Sequence, residues 1–342
     1  MTDRKLYIRT DANSTIATGH MIRCLSVADA AKGLGIDTVF IVSTSDSGQM
    51  ARLRGYETIN LDRQWDDFDG EIPVISALIK DLNISYMLVD SYYVTSAYME
   101  ALSSLTRTAY IDDLHERVWP CNVIINYAVY CDLFDYANEY KDATRLLGCS
   151  YMPLRLEYNQ IAARTCGKAT KALVVTGGMD ELHFMKNMFH TISASDGLKD
   201  IDFTFICGRF NPDLDQLTTM AEQVSNINVL PALPTLKEAM LDADILVTAG
   251  GTTLYEMAAT GLPGIAFRIA DNQCYNVDTF AKLGLVLDAG DVRYDFSYTK
   301  LADMIRGLVD NQKQRQDMST RLMGLVDGKG ALRMAKGIMN ID

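Results

Sequence analysis

The feature that most constrains this chain is a rhythm that occurs twice: short apolar runs alternating with amphipathic stretches. In the first half, residues 5–10, 38–42, 58–61, 86–89, 108–111 and 123–126 read as strands. Between them, 20–34 carries apolar residues at 21, 24, 25, 28, 31 and 34, the spacing of one helical face. Gly33 and Gly35 suit its end. Residues 48–54, 72–82 and 95–105 read as further helices. The pattern weakens over 127–151, a stretch expected to cover a cleft, and a polar, glycine-containing passage, 157–168, reads as a linker. The alternation then resumes. Strands are expected at 172–175, 203–206, 228–230, 245–248, 264–268 and 285–287, and helices at 181–193, 213–224, 236–241, 252–260 and 276–283. Two or three helices finish the chain over 298–339. Short apolar strands separated by helices imply parallel sheets covered on both faces. The expected fold is therefore α/β, with two Rossmann-like, doubly wound domains facing across a cleft, spanning 1–157 and 168–342.

Composition narrows the function. With 342 residues and 48% hydrophobic content, the chain can build two cores. Its 32 basic and 44 acidic residues give a net charge of −12, which argues against a general nucleic-acid binder. Seven cysteines without a C-x-x-C pair fit a reduced thiol set, not a disulfide framework or zinc site. Residues 1–5 are polar, so no secretory signal is read, and no apolar run reaches the ~18 residues of a membrane span. A cytoplasmic protein is expected.

Ligands of open α/β sheets bind where strands end and loops enter helices. The first such loop, 9–20, runs from Arg9 to Gly19 and His20. Glycine permits close backbone approach to a ligand, and His20 would stand at a helix N-terminus with Asp11 near enough to orient its ring. An ordinary polar cap is the plainer reading. This loop lacks the G-x-G-x-x-G dinucleotide fingerprint. A second loop, Gly250-Gly251-Thr252-Thr253 followed by Glu256, offers N–H groups and a helix dipole to an anion, and a carboxylate to a ribose diol. Asp271-Asn272-Gln273 presents amides suited to sugar hydroxyls, acetamido groups or phosphate, or to a helix cap. Thr176-Gly177-Gly178-Met179-Asp180 and Asp90-Ser91-Tyr92-Tyr93 also follow strands, and alone each reads as a plain turn. His183, His190 and the Asp112–Glu116 cluster around His115 fit no metal-ligand spacing. No G-x-S-x-G elbow is present.

Taken together, these segments resemble the UDP-2,4-diacetamido-2,4,6-trideoxy-β-L-altropyranose hydrolases of pseudaminic acid biosynthesis, which serves flagellin glycosylation. The resemblance rests on I-R-T-D-A…T-G-H-M-I-R-C-L at the start, L-V-D-S-Y (88–92), Y-I-D-D (110–113), I-I-N-Y (124–127), L-G-C-S-Y with Leu154-Arg155, V-T-G-G-M-D, G-G-T-T-L-Y-E-M-A and D-N-Q. It covers nearly the whole chain in order. It implies the two-domain glycosyltransferase B arrangement and metal-independent, inverting hydrolysis of a UDP-sugar, with no cofactor. His20 falls at the family's catalytic histidine, Asp11 at its aspartate, Tyr92 at its tyrosine and Asn272 at its sugar-side asparagine. Gly19, Arg23, Arg155, Gly177, Gly178, Gly250–Thr253, Glu256 and Gln273 fall at substrate-binding positions. Ser91 stands where histidine occurs in the family, and the C-terminus is longer.

Departing UDP develops charge that the Gly250–Thr253 N–H groups would stabilise, while His20 takes a proton from water. With base and leaving-group site on separate domains, closure would assemble the site and exclude bulk water. Three alternatives use the same features. A glycosyltransferase would pass the sugar to an acceptor, a nucleotide-sugar sensor would need no His20, and a non-hydrolysing 2-epimerase would keep both halves.

Overall fold

The computed structural model describes residues 5–13, 15, 16 and 18–341. Residues 1–4, on which the absence of a leader was read, lie outside the described residues, as do Ser14 and Ala17 of the first loop. The chain forms two units, Met1–Leu156 with Gly328–Asp342, and Glu157–Asp327.

In the first unit, strands β1 (Lys5–Thr10), β2 (Asp37–Val42), β3 (Glu57–Asn60), β4 (Tyr86–Asp90), β5 (Arg107–Ile111), β6 (Val123–Asn126) and β7 (Thr144–Leu147) alternate with helices. The helices are α1 (Gly19–Gly33), α2 (Gln49–Leu53), α3 (Phe68–Asp81), α4 (Ser96–Ser103) and α5 (Tyr136–Glu139). The strands form one parallel sheet in the order β3-β2-β1-β4-β5-β6-β7. Helices cover both of its faces, so the central strands are apolar throughout: Leu6, Ile8, Met87, Leu88 and Val89 are buried. One core layer packs Val39, Ile41, Val89, Ile75, Tyr98 and Leu102 between the sheet and α3 and α4. Thr95 starts α4 by accepting a hydrogen bond from the Tyr98 N–H at 3.1 Å.

The second unit repeats the plan with β8 (Lys171–Val175), β9 (Asp202–Ile206), β10 (Ile227–Leu230), β11 (Ile245–Ala249), β12 (Gly264–Arg268) and β13 (Leu287–Asp291), in the order β10-β9-β8-β11-β12-β13. Its helices are α6 (Phe184–Ala194), α7 (Leu214–Ala221), α8 (Lys237–Asp242), α9 (Thr253–Thr260), α10 (Cys274–Lys282), α11 (Tyr298–Asp310) and α12 (Gln312–Met323). Phe184 of α6 stacks on Phe267 of β12 with centroids 3.8 Å apart at the centre of its core.

Three expectations need correction. Strand β7 lies inside the stretch read as patternless; it is an edge strand with a single fully buried residue, Leu146, so it shows no apolar run. The passage 157–168 is not a free linker. Arg164 donates to the Ala243 and Met240 carbonyls at 2.6 and 2.5 Å, tying down the C-terminal end of α8, and the Cys166 N–H donates to Gln316 Oε1 at 2.8 Å. Finally, the domain expected over 168–342 loses its last helix. Helix α13 (Gly330–Met339) returns to the first unit and packs on α1. Its stripe Ala331, Met334, Ala335, Ile338 and Met339 is buried there. A Cβ at Gly330 would come within 2.1 Å of the Met152 carbonyl oxygen, so the close approach requires glycine. The sequence predicts helices over 298–339, but a helical pattern carries no information on which unit buries it.

Candidate active site

In the first sheet, β1 and β4 are neighbours whose connections leave in opposite directions, the topological switch point where open α/β sheets bind ligands. Thr10 and Asp90 are register partners at its carboxyl edge. The chain enters α1 just after β1, which places His20 in the first turn of the helix, above Asp90. Nδ1 of His20 lies 2.7 Å from Asp90 Oδ1. Arg23, one turn further along α1, donates from Nε to Asp90 Oδ2 at 2.6 Å and from Nη2 to Oδ1 at 2.5 Å. Its Nη1 reaches Asp113 Oδ2 at 2.6 Å and also the Tyr127 hydroxyl. His20 is 8% exposed and Asp90 1%.

Arg23 Nη2 also lies 2.9 Å from His20 Nδ1. A guanidinium only donates and a carboxylate only accepts. With a proton on Nδ1 the ring donates to Asp90 Oδ1, and without one it accepts from Arg23 Nη2, so the two contacts belong to different tautomers. Burial alone would push the Asp90 carboxyl up, but Arg23 and His20 reverse this and hold it well below the ordinary carboxylate range. Tyr92 packs its ring edge-on against His20, with centroids 4.5 Å apart, and donates its hydroxyl to Asp113 Oδ2 at 3.1 Å. Burial, then the Asp113 charge, raise the Tyr92 hydroxyl well above its usual range, so it remains a donor. Two carboxylates around one guanidinium leave a surplus of negative charge beside the imidazole.

Asp11 is not the residue that orients His20. It accepts from Arg9 Nη1 at 2.5 Å and from the N–H and hydroxyl of Ser43, both at 2.8 Å. Arg9 also grips Glu71 in a two-pronged bond at 2.8 and 2.7 Å, and Tyr98 donates to the same carboxylate at 2.6 Å. With Arg9 and Glu71 fully buried, this cluster ties the ends of β1 and β2 to α3. Asp11 is thus held by a buried ion-pair network, a partnership invisible in loop spacing. Gly19 is exposed, and a Cβ there would meet nothing within 4 Å.

In the second sheet the switch point lies between β8 and β11. Here the expectation of free N–H groups from Gly250 onward holds for three of the four residues. The Gly250 N–H donates to the Phe267 carbonyl at 2.9 Å, whereas those of Gly251, Thr252 and Thr253 have no acceptor among the described residues. They form an anion-ready helix start. Gly250 has another role, since a Cβ there would come within 2.4 Å of Val277 Cγ2. Behind the loop, Tyr255 donates to Asn276 Oδ1 at 2.7 Å and Asn276 Nδ2 to the Gly250 carbonyl at 3.2 Å. Glu256 is half-buried in the first turns of α9. Gln273 lies against Gly250, and its Oε1 accepts from the Ile269 N–H at 3.0 Å, whereas neighbouring Asn272 is exposed.

The turn carrying Gly177 and Gly178 presses against Gly208, whose Cβ would fall 2.0 Å from the Gly177 carbonyl oxygen, and Asp180 caps α6 through the Phe184 and Met185 N–H groups at 2.9 Å each. Arg155 is half-buried near the end of the first unit's continuous segment. The structure therefore gathers His20, Arg23 and Tyr92 in one cluster, and Gly250–Thr253, Glu256 and Gln273 around another loop. Sequence reasoning missed Asp90, Asp113 and Tyr127 as members of the first cluster; the signal was an acidic residue at the ends of two adjacent buried strands. Among the described residues, no group of three or more His, Cys, Asp or Glu side chains is placed to hold a metal, and no helix is long and apolar enough to cross a membrane.

Two parallel-sheet α/β units of seven and six strands define the architecture of the GT-B glycosyltransferases. Over 99% of its length the chain superposes on all of Acinetobacter baumannii MurG with a TM-score of 0.71 at 13% identity. It also superposes on a Medicago truncatula protein solved in complex with UDP-glucose, with a TM-score of 0.67, 13% identity and 99% of both chains covered. Residues 172–332 match the glycosyltransferase family 28 C-terminal domain. In sequence, the chain is 27% identical over 165 residues to the spore coat polysaccharide biosynthesis protein SpsG of Bacillus subtilis, covering 47% of this chain and 48% of that protein. It is 19% identical over 288 residues to an uncharacterised protein of Methanocaldococcus jannaschii, covering 80% of this chain and 57% of that protein. The chain thus spans about half the length of these curated relatives.

Proposed function

We propose that this protein hydrolyses the anomeric C–O bond of UDP-2,4-diacetamido-2,4,6-trideoxy-β-L-altropyranose, releasing UDP and the free sugar with inversion, as in pseudaminic acid biosynthesis. The observation that carries this reading is the His20–Asp90 pair at a switch point; in the reacting tautomer Nδ1–H donates to Asp90 and Nε2 is the base. Nε2 takes a proton from water as the water oxygen bonds to the anomeric carbon. The bond to the β-phosphate oxygen breaks, and UDP leaves with the electron pair. The surplus negative charge around Arg23 stabilises the imidazolium, worth part of the ~10²–10⁴-fold typical of general-base help. On the second unit, the Gly251–Thr253 N–H groups and the α9 dipole stabilise the leaving diphosphate without a metal, and Glu256 accepts from the ribose hydroxyls. The match to a glycosyltransferase domain and the fold shared with a UDP-glucose complex support a nucleotide-sugar substrate.

Transfer to an acceptor is the second reading, favoured by the same family match. Incubation with the UDP-diacetamido sugar and no acceptor, followed by NMR, separates the two. Hydrolysis yields UDP and a first-formed free sugar of opposite anomeric configuration. Intact substrate that is consumed only when an acceptor is added would establish transfer instead.

A further inference from the structure

The turn that follows β5 supplies Asp113, whose Oδ2 accepts from Arg23 Nη1 at 2.6 Å and from the Tyr92 hydroxyl at 3.1 Å. This turn is itself held by the segment between β6 and β7. The Tyr130 hydroxyl donates to the Asp113 carbonyl at 2.6 Å, and the Tyr136 hydroxyl to Asp112 Oδ2 at 2.9 Å. His115 completes the grip. Its N–H donates to Asp112 Oδ1 at 2.9 Å. Its ring stacks on Phe134, with centroids 4.1 Å apart and planes 10° from parallel, and meets Tyr136 edge-on at 4.9 Å. Its Nε2 lies 2.7 Å from Glu139 Oε2; a carboxylate only accepts, so this nitrogen carries a hydrogen and donates. The His115 side chain is 14% exposed and that of Glu139 28%, so solvent screens the pair less than it would an open surface contact.

The proposed reaction uses neither His115 nor Glu139. Yet His115 sits in the left-handed backbone region, with a φ of 51°. That conformation is unfavourable for a residue with a Cβ, and it persists only where the surroundings over-determine it. The ring stack, the Glu139 bond and the N–H contact do so here, and with Tyr130 they fix the backbone on both sides of Asp113. From Asp113 the linkage continues through Arg23. While Nη1 binds Asp113, Nη2 lies 2.5 Å from Asp90 Oδ1 and 2.9 Å from His20 Nδ1. A small shift of the guanidinium changes both contacts, and with them the balance between the two His20 tautomers. Tyr92, the other donor to Asp113, packs edge-on against the His20 ring. We propose that His115 is a positioning residue: clamped between Phe134 and Glu139, it seats Asp113, which sets Arg23 and Tyr92 against His20 in the reacting arrangement. The proposal rests on the reading of His20 as the base. It adds a control point in a segment that contributes no group to the reaction itself.

Two substitutions in the whole protein remove the clamp from opposite sides. His115→Asn suits the left-handed backbone better than histidine does, but provides no ring to stack on Phe134. Glu139→Ala removes the acceptor and leaves the sequence of the turn intact. Each should lower kcat for the UDP-diacetamido sugar roughly 3–30-fold, with KM changed less than about 3-fold. UDP affinity, read by calorimetry, should match wild type. The double variant should be no slower than the slower single one, because both break the same linkage. Glu139→Gln, whose amide oxygen still accepts from Nε2–H, should restore most of the rate. The second readout needs no substrate. The chain has four histidines, so their ring ¹⁵N signals can be assigned by substitution, and those of His20 should shift in both clamp variants. Unmoved His20 signals, or a wild-type kcat, would overturn the positioning role and leave the hydrolase reading standing, with His115 serving only the stability of its turn. Shifted His20 signals in a protein that never releases UDP from the sugar would keep the linkage and overturn the hydrolase reading.

Discussion

Nδ1 of His20 and Oδ1 of Asp90 lie 2.7 Å apart although 70 residues separate them in the chain. Their meeting follows from topology. β1 and β4 are adjacent in the sheet, and the residues that follow or end them share its carboxyl edge. Replacing Asp90 by Asn removes the negative partner that holds Nδ1–H and stabilises the imidazolium. The expected result is a fall in kcat of ~10²-fold or more with KM changed only a few-fold. Steady-state kinetics on folded Asp90→Asn checks this, and unchanged kcat would remove Asp90 from the mechanism.

Asp90 also shapes acid stability. Its folded carboxyl lies below the ordinary value of about 3.9 that an unfolded aspartate has. The unfolded state therefore binds its proton first as pH drops. The contribution of Asp90 is complete above about pH 4 and is lost as pH falls toward the lowered folded value. Urea unfolding between pH 2 and pH 6 should show a shallower acid decline for Asp90→Asn than for wild type.

Asp112 has the opposite sign. Burial pushes its carboxyl up to about 6, against the hydrogen bonds from Tyr136 and the His115 N–H. Its folded value exceeds the unfolded one, so its contribution is present below about pH 4 and is lost as pH rises through about 6. In Asp112→Asn, which cannot ionise, the loss of stability between pH 4 and 6 should be reduced. An unchanged slope in that window would show that Asp112 ionises there without penalty.

Much of the alternation is legible in the sequence because buried parallel strands are apolar on both faces, as in Met87–Val89 and Leu246–Val247. The elements that escaped have physical reasons. β7 is an edge strand with little to bury, and α13 shows a stripe that two units could equally have covered. At the site, His20 drew attention by its place at a strand end and helix start, whereas Tyr92 entered only through the family resemblance, its loop alone reading as a plain turn. Asp90 and Asp113 were not legible, because an acidic residue at a strand end is common and its value lies in what crosses the sheet to meet it. Asp11 illustrates the reverse. It is close to His20 along the chain, but the buried Arg9 holds it elsewhere.

Helix α13 makes the stability of the first unit depend on the far end of the chain. Ile338 is fully buried against that unit. Ile338→Ala should cost ~2–5 kcal/mol, and hydrogen exchange should show the loss of protection concentrated in α1 and its sheet. Loss of protection confined to Glu157–Asp327 would contradict this packing.

On the second unit, Gly250→Ala places a methyl 2.4 Å from Val277 Cγ2 and must move either the loop or α10. UDP affinity should fall roughly 10-fold or more, comparable to the loss expected for Glu256→Ala. Calorimetry with UDP alone reads both. Unchanged affinity in Glu256→Ala would place the ribose elsewhere.

The most direct test of the account is single-turnover hydrolysis of the UDP-diacetamido sugar by His20→Asn, followed by NMR. Asparagine keeps a polar group facing Asp90 but has no basic nitrogen. The account predicts a chemical step at least ~10²-fold slower, with UDP-sugar binding and melting temperature close to wild type. A folded variant that hydrolyses the substrate within a few-fold of the wild-type rate would show that His20 is not the base.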